Sequence, residues 1–282
     1  MNNYSQNSPF NSYSINNGNR GFTESNSLVA KFAFFLLVIF VFIILLRFGI
    51  NMVTYFLQPS QSPKLINGMV DATQLIIFPQ DPKEIGAATI YRSIDASEGL
   101  EFTWSVWINI KDLQDKQGQY RNIFYKGNSK METNGLNFPN NAPGLYIAPD
   151  TNELVVIMNT FEEINKEITI PNIPLNKWVN VIIRCQNRTL DVYVNGTITR
   201  SIELLGVPKQ NYGNVYVAMN GGFNGYISNL WYYNYALGTA EIQNISNKGP
   251  NTKIVGSTLN DKNTDYLSLR WFFYGAGDSF NP

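Results

Sequence analysis

The side chains that could do acid–base or metal chemistry in this chain are few and poorly spaced for it. Glu162, Glu163 and Glu167 form its only dense acidic cluster. Neighbouring residues of a strand point to opposite faces, so Glu162 and Glu163 could not share a task there. The cluster reads as a solvated loop between Asn159 and Ile168. Histidine is absent, which removes the commonest general base and the commonest transition-metal ligand together. A serine or cysteine nucleophile therefore has no imidazole to activate it. Gly221-Gly222-Phe223-Asn224-Gly225 is rich in glycine, but it lacks the lysine and helix start of a phosphate loop and reads as a turn before a strand.

Oxygen donors for a hard cation are offered by Asp150, Asn152 and Glu153 in one hairpin, with Asp71 or Asp95 as further donors. Calcium takes roughly six to eight oxygens, more than this hairpin holds. No cofactor is expected, and calcium is the one ion weighed. Aromatic side chains are the remaining recognition chemistry, because they stack on sugar rings and anchor protein interfaces. The candidates are Trp107, on the opposite strand face from Trp104; Tyr193, which points away from Leu190, Val192 and Val194; and Tyr232, Tyr233 and Tyr235, crowded at one strand end.

The elements that must position these residues fall into two kinds. The first is Leu28 to Leu46, apolar throughout except for Lys31 and followed by Arg47. At about 1.5 Å per residue such a helix is roughly 28 Å long, close to the hydrocarbon thickness of a bilayer. Lys31 and Arg47 bracket it and can snorkel to the headgroups. A signal peptide would be shorter, nearer the start and followed by a small-residue cleavage site. The expectation is a single-pass span over 28–57, its second part lying in the interface. Arg20 and Lys31 on one side balance Arg47 and Lys64 on the other, so flanking charge leaves the topology open.

The second kind is period-two alternation. Phe102, Trp104, Val106, Ile108 and Ile110 share one face of a strand. Further strands are expected at 75–78, 120–125, 144–148, 153–159, 178–185, 189–194, 198–204, 214–219 and 225–232. Asp150–Asn152 and Asn195-Gly196 supply hairpin turns. Only Thr239 to Ser246 reads as helix, stopped by Gly249-Pro250. Many short strands between turns predict an antiparallel sandwich. Residues 1–27, asparagine- and serine-rich, are expected to be a disordered tail. Residues 58–69 read as a stalk, 70–250 as the sandwich, and 251–282, with apolar Trp271–Tyr274, as a segment packed on the sandwich or a partner.

Composition narrows the partners. Lys+Arg 21 against Asp+Glu 21 gives zero formal charge, so no electrostatic footprint for nucleic acid is present. The one cysteine, Cys185, excludes an internal disulfide and leans towards a reducing compartment. Its place on a strand face with Val179, Val181 and Ile183 predicts a buried structural thiol. Glycosylation sequons stand at Asn3, Asn187, Asn195 and Asn244 in an asparagine-rich chain.

Three stretches in order carry a resemblance. Phe102 to Ile108 is similar to an early F-T-I-S-F-W-V strand. Asn176–Arg184, followed by Thr189–Gly196, is similar to a tryptophan-led strand and a hairpin ending in Asp-Gly. Phe223–Leu237 with Glu241-Ile242 is similar to a closing F-x-G-x-I-D-x-V-R-I-Y-N-R-A-L motif. Together they resemble the laminin G-like domains of the concanavalin A-like lectin/glucanase superfamily, which includes pentraxins. The resemblance implies an all-β, antiparallel jelly-roll sandwich with its ligand site at a loop rim. Ser228-Asn229 and Asn195 stand where that family carries aspartates, which weakens an implied calcium site. The glucanase branch's E-x-D-x-x-E triplet, whose spacing puts catalytic carboxylates on one face, is missing, so no enzyme is expected. Architecture and composition also resemble virion membrane proteins of large DNA viruses. The expected partners are a lipid bilayer and either a protein (a capsid or other membrane protein) or a glycan. Two functions stand first: a structural adaptor at a membrane, the virion membrane among the localisations considered, or a carbohydrate-binding lectin for adhesion or host attachment; a glycosidase is the third and weakest reading.

Overall fold

The computed structural model describes residues 28–57, 60–84, 86–93, 95–96 and 99–255. The expected tail at 1–27 and the apolar Trp271–Tyr274 lie outside these residues. The chain divides into two compact units, residues 1–58 and 59–282.

In the first unit Leu28–Leu57 form one helix, α1. Its apolar side chains are exposed on every side, Leu28 at 82 % and Phe40 at 67 %. A helix with no polar face has no orientation in which water and a core are both satisfied. Leu28–Phe56 is long and apolar enough to cross a membrane.

The second unit is a sandwich of two antiparallel sheets. One runs β1 (Met69–Asp71), β13 (Gly225–Tyr233), β4 (Gly99–Ile110), β9 (Trp178–Gln186), β10 (Thr189–Val194) and β11 (Thr197–Glu203), with β3 (Asp95–Ala96) paired to the start of β4. The other runs β2 (Ile76–Phe78), β12 (Asn214–Val217), β5 (Arg121–Gly127), β6 (Gly144–Ile147), β7 (Glu153–Met158) and β8 (Lys166–Pro171). The all-β jelly-roll-type expectation therefore holds at the level of two stacked antiparallel sheets.

Between the sheets, the alternating residues of β4 face inward: Phe102, Trp104, Val106, Ile108 and Ile110 are all buried. Trp104 stacks on Phe124 of the other sheet at 5.2 Å between centroids and against Tyr232 at 5.0 Å. Cys185 lies in this core as a buried free thiol, and burial pushes it up to about 12. Asn195 and Gly196 have φ of 50° and 79°, the two positive values that a type I′ hairpin requires.

Three expectations are corrected. The supposed stalk at 58–69 is docked on the sandwich from Pro63 onward: the Leu65 and Ile66 amides donate to Leu230 O, the Tyr232 amide donates to Pro63 O, and Ile66 is buried. The acidic stretch before Ile168 is not all loop, because β8 begins at Lys166, with Ile168 and Ile170 inward and Glu167 outward. Period-two patterning in Lys166–Pro171 outweighs its charges. The helix α2 (Thr239–Lys248) runs two residues further than expected and ends at Gly249, φ 75°. Beyond it, residues 251–255 return to the sandwich, where Met69 donates to Lys253 O and Val255 donates to Met69 O.

Candidate functional site

Strand direction sorts the loops of the sandwich into two ends. At one end lie the segment after β2, the β5–β6 loop 128–143, the β7–β8 loop 159–165 and the β11–β12 connection 204–213. The chain also enters here: Trp231 Nε1 donates to Ser62 O and Lys64 pairs with Trp231. At the other end lie the β4–β5 connection 111–120, the β6–β7 hairpin 148–152 and the turn 218–224.

The entry end carries unusual surface. The Thr160 hydroxyl accepts from the Glu162 and Glu163 amides and so folds the β7–β8 tip. The Phe161 amide donates to Val207 O, and Thr160 bridges Pro208, so 205–208 lies alongside as an extended edge. Along that edge burial alternates. Leu204, Gly206 and Pro208 face in, while Leu205 and Val207 face out. Four large apolar side chains therefore stand in solvent at one corner: Phe161, Ile164, Leu205 and Val207. Lys209 Nζ sits 5.1 Å from the Phe161 ring centroid. Phe138 and Tyr212 are exposed on neighbouring loops of the same end.

At the same end Lys126 is buried, its ammonium donating to Asn211 O and Gly213 O at 2.7 Å each. Burial lowers it to about 8. A depressed lysine binds fewer protons folded than unfolded between about pH 8 and its ordinary range near 10.5. It therefore contributes stability that grows as pH rises through that window. Cys185, raised from its usual 9 to about 12, acts oppositely, because above pH 9 the unfolded thiol loses its proton first. Lys126→Met is expected to flatten the rise in melting temperature between pH 7.5 and 9; an unchanged pH profile would contradict the burial cost assigned to the ammonium.

The other end holds a cleft of about 130 Å³ lined by Leu113, Gln117, Arg121, Pro149, Asp150 and Thr151. Its floor is Arg121, buried to 1 % exposure. The guanidinium donates to the carbonyls of Leu113, Asp115, Ala148 and Pro149, and Asp115 Oδ1 lies at 3.5 Å. It ties two loops together and offers nothing to a ligand.

The hairpin considered for calcium is here, with its side chains facing separate partners. Asp150 Oδ1 accepts from Gly118 N, Asn152 Nδ2 donates to Ile173 O, and Glu153 Oε2 accepts from the Thr151 hydroxyl. Asp71 is engaged by the Thr73 amide and hydroxyl, which hold its carboxyl below the ordinary range. The Asp95 side chain lies outside the described residues. Among the described residues no three acidic or cysteine side chains gather as a metal site.

The five aromatic candidates are split by the fold. Tyr232 is in the core, its hydroxyl donating to Tyr91 O at 2.9 Å. Trp107 is buried between Asn180 and Ser228 in register, on the face where Asn251 closes over Ser228. Neither presents a ring face to a ligand, so both candidates are covered rings of the sandwich. Tyr193, Tyr233 and Tyr235 do come together, with Trp231, around Ile182, Leu237 and Ile242 of α2. Lys64 Nζ covers the Trp231 ring at 5.1 Å and the Tyr235 hydroxyl donates to Glu241. These rings seat α2 on the sheet. The apolar corner at the entry end was missed by sequence reasoning, because an apolar residue in a short loop looks the same whether a neighbour covers it or not.

Two antiparallel sheets with ligand-accessible loops at their ends define a lectin-like β-sandwich. A laminin G-type model of the concanavalin A-like lectin/glucanases superfamily matches residues 86–243, more than half of the chain, and the chain belongs to that superfamily. Similar solved structures include the receptor binding domain of botulinum neurotoxin D, 14 % identical, covering 67 % of this chain and 44 % of that one at a TM-score of 0.46. The binding domain of botulinum neurotoxin DC in complex with rat synaptotagmin II is 16 % identical, with coverage of 64 % and 46 % and a TM-score of 0.44. The serotype G binding domain is 13 % identical, with coverage of 63 % and 45 % and a TM-score of 0.42. The chain spans about a third to under half the length of the first-listed structures. No curated protein matches the sequence.

Proposed function

We propose that this chain is a non-catalytic binding protein held in a membrane by α1, with its sandwich engaging a protein partner at the membrane surface. The observation that carries this is α1 itself, its apolar side chains exposed on every side, followed after a few residues by a sandwich of the concanavalin A-like lectin/glucanases superfamily. The charged side chains support binding over chemistry. Arg184 pairs with Asp191 at 2.8 Å, Asp191 accepts from Ser201, and Asp112 accepts from Asn224. These two carboxylates have structural partners, where a catalytic acid or base would need a free face.

The adaptor form of this reading joins a membrane to a protein shell, as in a virion membrane beneath a capsid. A glycan-binding lectin is the alternative. The burial of Trp107 and Tyr232 favours the protein partner, because it withdraws two of the rings a sugar would stack on.

A glycan array probed with the full chain in phosphatidylcholine nanodiscs, first with calcium and then with chelator, tests the choice. The expected result is a blank array from a sample whose tryptophan emission shows it folded. Reproducible binding to one sugar class would replace the adaptor reading with the lectin, and its loss in chelator would restore a calcium site.

A further inference from the structure

We propose that the apolar corner of Phe161, Ile164, Leu205 and Val207 docks on the lipid surface of the membrane that α1 crosses, giving the sandwich a second attachment. The inference rests on the reading of α1 as an anchor.

Among the described residues the corner is exposed. Phe161 is 69 % exposed, Leu205 67 %, Ile164 57 % and Val207 48 %. The Phe161–Val207 hydrogen bond and the Thr160–Pro208 bridge hold the loop that carries Phe161 and Ile164 against the segment that carries Leu205 and Val207. Large apolar side chains grouped at loop tips leave water only when something covers them.

Chain reach says what covers them. Residues 60–64 enter the sandwich at this same end, with the Asn234 side chain donating to Gln61. Residues 58–60 separate Leu57, the last residue of α1, from Gln61, and the four Cα steps between them span at most about 14 Å. Gln61 therefore stays within that chain length of the end of α1, whichever way the two units turn.

Size and charge fit lipid better than protein. A stable protein interface takes roughly 20–30 residues a side, more than four loop-tip side chains supply. The charged residues of the corner cancel: Glu162 and Glu163 against Lys166 and Lys209, with Lys166 paired to Glu163 at 3.3 Å. Both lysines have apolar stems beside the patch and can extend to the phosphates. A neutral, apolar tip suits zwitterionic headgroups over acyl chains, and its hold should not depend on salt.

The test uses the full chain at one copy per phosphatidylcholine nanodisc. Cys185 is buried, so a thiol-reactive NBD dye labels an introduced cysteine selectively. Phe161→Cys and Leu205→Cys report the corner, and Thr151→Cys reports the opposite end. The expected result is NBD emission at 161 and 205 at least twofold brighter than at 151. Nitroxide-labelled lipid should quench it at least twofold, in 0.1 M and in 1 M salt alike. Equal, unquenched emission at all three sites overturns the proposal. Brightening without lipid quenching also overturns it, in favour of a protein covering the corner. Failure of the unlabelled chain to enter nanodiscs overturns the anchoring reading, and the docking with it; entry without quenching overturns the docking alone.

Discussion

Replacing Arg121 with methionine is expected to destabilise the sandwich by about 3–5 kcal/mol, the range for removing one partner from a buried charged network. Methionine fills much of the same volume but donates nothing. The carbonyls of Leu113, Asp115, Ala148 and Pro149 then lose the guanidinium that satisfies them, and the Asp115 carboxylate loses its counter-charge. An unpartnered buried acceptor costs about 1–3 kcal/mol, so two such losses already reach the expected range. Arg121→Lys should recover only part, because a single ammonium cannot span carbonyls on two loops. Urea unfolding of the full chain in detergent, followed by tryptophan emission, measures the loss; α1 contains no tryptophan, and four of the five tryptophans, Trp104, Trp107, Trp178 and Trp231, lie in strands of the sandwich, so these four dominate the signal. A change under about 0.5 kcal/mol, the size of an ordinary surface substitution, would mean that water entering the neighbouring cleft replaces the guanidinium.

The second large effect is on membrane attachment. Ile39→Arg together with Ile43→Arg puts two charges at the middle of α1, each costing about 2.5–3.5 kcal/mol on an insertion scale. The sum of about 5–7 kcal/mol corresponds to a partition change on the order of 10⁴ or more. The chain should move from the carbonate-resistant membrane fraction to the soluble or aggregated fraction. Retention of the double variant in the membrane fraction would show that something other than α1 anchors the protein.

Much of the architecture is legible because its causes are local. A run over 28–46 whose single charged residue is Lys31 leaves a helix no wet face, whatever follows it. In Phe102–Ile110 the alternation alone selects the inward set, and the structure buries that set. Asn195-Gly196 folds as a tight turn because both positions tolerate positive φ. What failed was local evidence misjudged: the charges of Lys166 and Glu167 hid a strand whose isoleucines point inward, and the prolines before Leu65 hid an edge that pairs with β13.

The candidate site was far less legible, since exposure is a property of what crosses a side chain rather than of the side chain. Period two placed Trp107 and Tyr193 opposite the core but was silent on cover. Cover came from distant chain. The Thr103 hydroxyl donates to Tyr235 O, 132 positions away, where the strand leads into α2, and Asn251 returns over Ser228. The same logic in reverse leaves Phe161 and Leu205 bare, because two loops far apart in sequence meet at one corner with nothing above them among the described residues. The sequence by itself determined an apolar helix, a β-sandwich and the absence of histidine chemistry, since each depends on residue type and short-range period. Only the tertiary structure decided which aromatics are core and which apolar residues face outward, because long-range pairing alone sets which surfaces are covered.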